Sequence, residues 1–226
     1  MRRLLLAVLV FVGVLQGCSK TQVNKEEDVQ MNSLFIAAEQ GDLQAVKQLV
    51  DTGVDVNAQD DKGRTALMIA TYARNVDAAK ALIDAGADVN LQDDMKNSPF
   101  LYAGAEGYME ILKLTIAAEA DPTVVNRYGG TALIPAAERG HVETVKLLLE
   151  ETTVDVNHVN NLGWTALMEA VILNDGNEKQ QEIITILIEH GADVTIPDSD
   201  GVTPLQHAKA KGFVEIEKLL LEAGGK

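Results

Sequence analysis

Thr65-Ala-Leu-Met-Ile-Ala70, Ser98-Pro-Phe-Leu-Tyr-Ala103, Thr131-Ala-Leu-Ile-Pro-Ala136, Thr165-Ala-Leu-Met-Glu-Ala170 and Thr203-Pro-Leu-Gln-His-Ala208 are copies of one pattern, spaced 33, 33, 34 and 38 residues apart. A weaker copy begins near Asn32, one period before Thr65. Each copy reads as a helix start. Its Thr or Ser can accept a first-turn backbone N–H, Pro or Ala suits the next position, and the apolar residue and Ala three positions apart share one helical face. Outward from each start lies a second apolar helix, marked by Val46, Leu49 and Val50, by Leu82 and Ile83, by Val145, Leu148 and Leu149, and by Ile184, Leu187 and Ile188. A Gly and a short extended stretch then close the unit, most cleanly in Gly86-Ala-Asp-Val-Asn90 and Gly191-Ala-Asp-Val-Thr195. Gly63, Gly129, Gly163 and Gly201 suit the hairpin turn that follows. The pattern predicts units starting near 32, 65, 98, 131, 165 and 203, with a final helix over 214–221 capping the stack.

A 33-residue period with a Thr-Pro-Leu-x-x-Ala opening resembles the ankyrin repeat, and here it extends over 32–226. Ser98-Pro-Phe-Leu-Tyr-Ala103, Gly129-Gly-Thr-Ala-Leu-Ile-Pro-Ala-Ala-Glu138 and Gly163-Trp-Thr-Ala-Leu167 look closest to a group of uncharacterised bacterial ankyrin proteins. The resemblance implies an all-α repeat solenoid of about six stacked units with β-hairpin loops, and it brings no established activity. Several departures bear on the fold. Met68, Leu101, Ile134, Met168 and Gln206 stand where the family usually has His. Lys96 and Glu119 replace the two turn glycines of the third unit, so irregular turns are expected there. Pro135 falls late enough in its helix to remove a hydrogen bond and bend it. The fifth unit carries five extra residues within 173–181, expected to form a loop between its helices whose deletion costs much less than Leu133→Ala in the core.

The N-terminus has a different character. Arg2 and Arg3 precede an apolar run over 4–15, about half the roughly 20 residues a membrane-crossing helix needs. This reads as an export signal over 1–17, with a retained anchor as the alternative. The run ends in Leu15-Gln16-Gly17-Cys18, which resembles the lipobox of bacterial lipoproteins. That resemblance implies cleavage before Cys18, lipidation of its sulfur and acylation of the new N-terminus. Ser19, where Asp would signal retention, implies an outer-membrane lipoprotein facing the periplasm. Residues 18–31 then read as the lipidated cysteine and a flexible tether, and 32–226 as the repeat domain. Cys18 is the only cysteine, so a lipidated chain has no thiol left to oxidise.

Composition narrows the function further. Apolar residues make up 46% of the chain and aromatics only 4%, so the core must be closely packed small and aliphatic side chains. Net charge is −15, and removal of Arg2 and Arg3 leaves 17 basic against 34 acidic residues. Such a surface repels phosphate backbones and favours a basic protein partner over nucleic acid. His141, His158, His190 and His207 have no helical metal-pair spacing. Asp198-Ser-Asp200-Gly201 lacks the remaining ligands of a calcium loop and reads as a polar turn. Without a nucleophile elbow or phosphate-cradling loop, the expectation is a non-enzymatic protein with no cofactor, metal or small-molecule substrate.

What remains is a recognition surface. Equivalent hairpin-tip positions read Lys62, Met95, Tyr128, Leu162 and Asp200, and two residues on Arg64, Asn97, Gly130, Trp164 and Val202. The three middle units thus place Met95, Tyr128, Leu162 and Trp164 where turns are normally polar, the material of a binding hot spot. Packing between neighbouring hairpins is the alternative. Tyr102, Pro135 and Glu169, just inside the first helices, are expected to border the same groove. The partner is either held by an adaptor or blocked by an inhibitor or immunity-type subunit.

Overall fold

The computed structural model describes the backbone of residues 16–226 and the side chains from residue 27 onward. The described residues form six helix pairs, one per sequence unit. These are α1 (Gln16–Gln40) with α2 (Leu43–Asp51), α3 (Ala66–Tyr72) with α4 (Val76–Asp84), and α5 (Pro99–Glu106) with α6 (Met109–Ala117). They continue as α7 (Leu133–Glu138) with α8 (Val142–Glu151), α9 (Ala166–Ile172) with α10 (Glu178–Glu189), and α11 (Pro204–Lys211) with α12 (Val214–Glu222). The first helices form one continuous inner row, α1 through α11. In the outer row α2, α4 and α6 pack in sequence, as do α8, α10 and α12.

The repeated Ala explains how the inner helices come so close. Ala70, Ala103, Ala136, Ala170 and Ala208 are completely buried, and Leu67, Phe100, Leu133, Leu167 and Leu205 fill the layer beside them. The caps follow the motif. Thr65, Ser98, Thr165 and Thr203 accept N–H bonds from Met68, Leu101, Met168 and Gln206, and Gln206 completes a capping box with Thr203. The fourth unit differs, as Pro135 leads one to expect. Its neighbours donate an N–H from Ile69, Tyr102, Glu169 and His207 to the carbonyl of the capping residue, and proline has no N–H to give. The Thr131 hydroxyl is left buried without a partner, and α7 is only six residues long.

Between units the hairpin turns repeat in atomic detail. Oδ1 of Asp60, Asp93, Asn126, Asn160 and Asp198 accepts the N–H groups two and four residues ahead. Each turn is closed by a backbone pair such as Asp60 N–H to Arg64 O at 3.0 Å and Gly63 N–H to Asp60 O at 2.9 Å. One pair is too short for a ladder, so the described residues contain no strand and the hairpins are turns only.

Two expectations are corrected. The third unit's turns are regular, because Lys96 (φ 60°) and Glu119 (φ 58°) themselves adopt the left-handed conformation. The Lys96 N–H reaches Asp93 O at 2.8 Å as Gly63 reaches Asp60. The strain of about 1 to 2 kcal/mol per residue is offset at Lys96 by the turn that Asp93 braces, and at Glu119 by the backbone bonds of Glu119 N–H to Ile116 O at 3.0 Å and Ala120 N–H to Thr115 O at 3.1 Å. The excess of the fifth unit is not a free loop either. Residues 173–177 link the helices, and α10 runs for 12 residues where α4, α6 and α12 have 9. Asn177 caps α10, Asn174 Nδ2 donates to Glu138 O of the preceding unit at 2.9 Å, and Gln180 is buried.

At the other end, the backbone of the segment read as a tether is helical and continuous with α1, which begins at Gln16. Residues 1–15, most of the expected signal segment, lie outside the described residues, as does the side chain of Cys18. No helix among the described residues is long and apolar enough to cross a membrane.

Candidate functional site

Met95, Tyr128 and Leu162 sit at the apices of successive turns and are 49%, 52% and 48% exposed. Their N–H groups are held by Asp93, Asn126 and Asn160, which leaves the side chains projecting from the turns. Polar bonds join the hairpins: Asp94 N–H to Lys62 O at 3.1 Å, Asn161 N–H to Tyr128 O at 2.9 Å, and the Ser199 hydroxyl to Leu162 O at 3.0 Å. The joints therefore leave about half of each apolar tip in solvent. The Arg127 guanidinium lies 4.8 Å from the centre of the Tyr128 ring, with Nη1 3.6 Å from Met95 Sδ, and links two of the three tips.

Beneath the tips opens a groove of about 370 Å³. Met95, Tyr128, Leu162, Trp164, Tyr102 and Glu169 all line it, together with Pro135. Two separate sets of equivalent sequence positions, the tips and the inner-helix residues, thus converge on one concavity. Trp164 is half-buried in the wall. Tyr102 is clamped edge-on between Tyr72 (ring centres 4.5 Å) and Tyr108 (6.0 Å), and burial together with nearby Glu106 raises its phenol's pKa. The Tyr72 hydroxyl donates to the Asp93 carboxylate and accepts from Asn97 Nδ2 at 2.9 Å, which fixes the turn below Met95.

The floor carries a buried carboxyl group. Glu169 is 5% exposed, and its Oε1 accepts a 2.7 Å bond from Asn160 Nδ2. Burial, and then the charge of Glu138, push its pKa up to about 7 against the pull of the Asn160 bond. Arg139, the residue after Glu138, also lines the groove, pairs with Glu106 and donates to Ala105 O at 2.9 Å.

Sequence reasoning missed Glu138, Arg139, Asn160 and Leu173, which also line the groove. For the helix residues a signal existed: Glu138 and Arg139 follow Pro135 by three and four, and Leu173 follows Glu169 by four, so helical spacing puts each on its partner's face. The histidines lie elsewhere. His158 Nε2 is 2.7 Å from Gly129 O, and His207 Nε2 is 2.7 Å from Asp198 Oδ2. His190 Nδ1 is 2.8 Å from Ile186 O in the last turn of α10. Asp198 is committed to its own turn and to His207, and no cluster of metal-ligating side chains occurs among the described residues.

The repeat geometry and the sequence agree with known proteins. The family model for ankyrin repeats (3 copies) matches residues 5–93 and 100–198. The chain belongs to the ankyrin-repeat family. A solved ankyrin repeat domain from Acinetobacter baumannii AYE is 55% identical with a TM-score of 0.84, covering 85% of this chain and 98% of that one. A chain in the structure of the Bd0816 predatory endopeptidase from Bdellovibrio bacteriovorus in complex with immunity protein Bd3460 is 30% identical with a TM-score of 0.71, over 84% of this chain and 97% of that one. The ankyrin repeat protein YahD of Escherichia coli (strain K12) is 51% identical over 77 residues, 34% of this chain and 38% of YahD's length.

Proposed function

We propose that this protein is a lipid-anchored ankyrin module that binds another protein outside the bacterial cytoplasm through the groove under Met95, Tyr128 and Leu162. The observation that carries the reading is the half-exposed row itself: three successive units spend their turn apices on large apolar side chains above a groove walled by Trp164 and Tyr102. Exposed clusters of this kind are costly in water and mark contact surfaces. The anchor is Cys18, at the end of a lipobox-like sequence, and the location is the outer membrane facing the periplasm. A second reading, an inhibitor or immunity-type subunit, is favoured by the likeness to a chain in the complex of an endopeptidase with its immunity protein.

Two experiments test this. A photoreactive amino acid at position 162 is expected to cross-link one envelope protein, and the same group at exposed Val214 on α12 is not. Equal yields from both positions would remove the groove as the site. Inhibition of the cross-linked protein's enzymatic activity by the purified repeat domain would select the second reading. A fatty-acid probe should label the wild type and not Cys18→Ser, whereas an unlabelled, membrane-bound wild type retaining Arg2 would establish an uncleaved anchor.

A further inference from the structure

The groove described above is apolar at its rim and lined by carboxyl groups deeper in, and the two features call for one occupant. Glu169 uses Oε1 to hold Asn160, and among the described residues its Oε2 has no hydrogen-bond partner. The side chain lines the groove although it is 95% buried by residue area. Glu138 lines the same floor from α7 and lies close enough for its charge to act on Glu169.

The cations in reach are committed elsewhere. Arg139 is tied to Glu106 and Ala105 O, and Arg127 to the Tyr128 ring and Met95 sulfur at the rim. Glu169, buried, and Glu138, part-exposed, line one partly apolar cleft, and among the described residues neither has an ion-pair partner. A buried charge without one is expensive, and an incoming cation removes that expense.

We infer that the floor is a seat for one arginine side chain of the partner protein, its guanidinium shared by Glu169 Oε2 and Glu138 and its stem packed against Trp164 and Leu162. A guanidinium fits better than an ammonium. Its planar fork can donate to two carboxylates at once and lie flat on the indole, while an ammonium is a compact, strongly hydrated point charge. The volume of about 370 Å³ lies at the low end of the range of small-ligand pockets, enough for one long side chain. Charge complementarity is global as well as local, because the chain carries a net charge of −15. The inference rests on the groove being the binding site and adds what the groove selects.

The test uses the peptide N-acetyl-Ala-Leu-Arg-Leu-Ala-amide and its twin with citrulline, an uncharged isostere, in place of arginine. Binding is followed by NMR at the Trp164 indole N–H and the Glu169 carboxyl carbon. The arginine peptide is expected to bind saturably and at least about tenfold more tightly than the citrulline peptide, the worth of one charged hydrogen bond. Glu169→Gln, which keeps the acceptor for Asn160, is expected to erase that difference. Equal affinity of the two peptides, no saturable shift with either, or an arginine preference that survives Glu169→Gln each overturns the seat. If both peptides bind equally and Trp164→Ala abolishes both, the groove stands and only its arginine selectivity falls. A cross-link map that places the partner away from position 162 removes the groove itself.

Discussion

Glu169 occupies a position where the other units have Ile69, Tyr102, Pro135 and His207, and its neighbours make it a titrating group. Its pKa rises from an ordinary 4.5 to about 7 through burial and the charge of Glu138. Between those values the folded state binds more protons than the unfolded one, so stability falls as pH rises and the full cost is reached above pH 7. The difference corresponds to about 3 kcal/mol at most. Glu169→Gln is therefore expected to match the wild type in urea titrations below pH 4.5 and to exceed it at pH 8. An unchanged gap across that range would mean the carboxyl group is better solvated than its burial implies. The same residue shows where sequence reading stops. Its membership of an inner-helix set was legible from spacing, but its Asn160 partner lies nine residues back across a turn, and nothing in a helical or alternating period links the two. Lys96 and Glu119 teach the converse lesson: a missing glycine signals a strained residue, not a lost turn, when the surrounding bonds already fix the backbone.

Among the elements, α7 carries the clearest defect. Pro135 sits where four sister helices send an N–H to their capping residue, so the Thr131 carbonyl loses that donor and the Thr131 hydroxyl is stranded. Pro135→Ala should restore the backbone bond and let Thr131 cap Ile134, for a gain of about 1 to 3 kcal/mol in urea titration. No gain would mean the stranded hydroxyl has a cause other than proline. The link between α9 and α10 makes the opposite case. Deleting residues 174–178 would remove the Asn177 cap, the Asn174 bond to Glu138 O, and Gly176, which packs so tightly on the Phe213 ring that a Cβ there would come within 2.9 Å. The expected cost is about 2 kcal/mol or more, against about 2 to 5 kcal/mol for Leu133→Ala in the core. The 38-residue spacing revealed the excess but could not say that part of it becomes an extra helical turn, because Asn177 as a cap is evident only once its N–H partners are known.

For the molecule as a whole, the repeat converts sequence register into spatial order. Once the period was read, the six units and the alignment of Met95, Tyr128 and Leu162 followed, since equivalent positions on stacked units must lie in line. Depth was not legible, because it depends on how far the inner helices recede behind the turns. Charge acts at this scale too, and separately from the groove. An acidic surface draws a basic partner from a distance, with a strength that falls as salt shortens the Debye length. Contacts at the groove form only after encounter and govern how long the complex lasts. Neutralising Glu150, Glu151 and Glu215, exposed acids that do not line the groove, is therefore expected to slow association severalfold at low salt and flatten its salt dependence, with little change in dissociation. Tyr128→Ala should do the reverse, speeding dissociation by about 30-fold or more, the equivalent of a 2 kcal/mol hot spot, with association nearly unchanged. Stopped-flow and surface-binding kinetics on the cross-linked partner separate the two. If the triple neutralisation accelerated dissociation as strongly as Tyr128→Ala, the acidic faces would be part of the contact, and recognition would extend well beyond the groove.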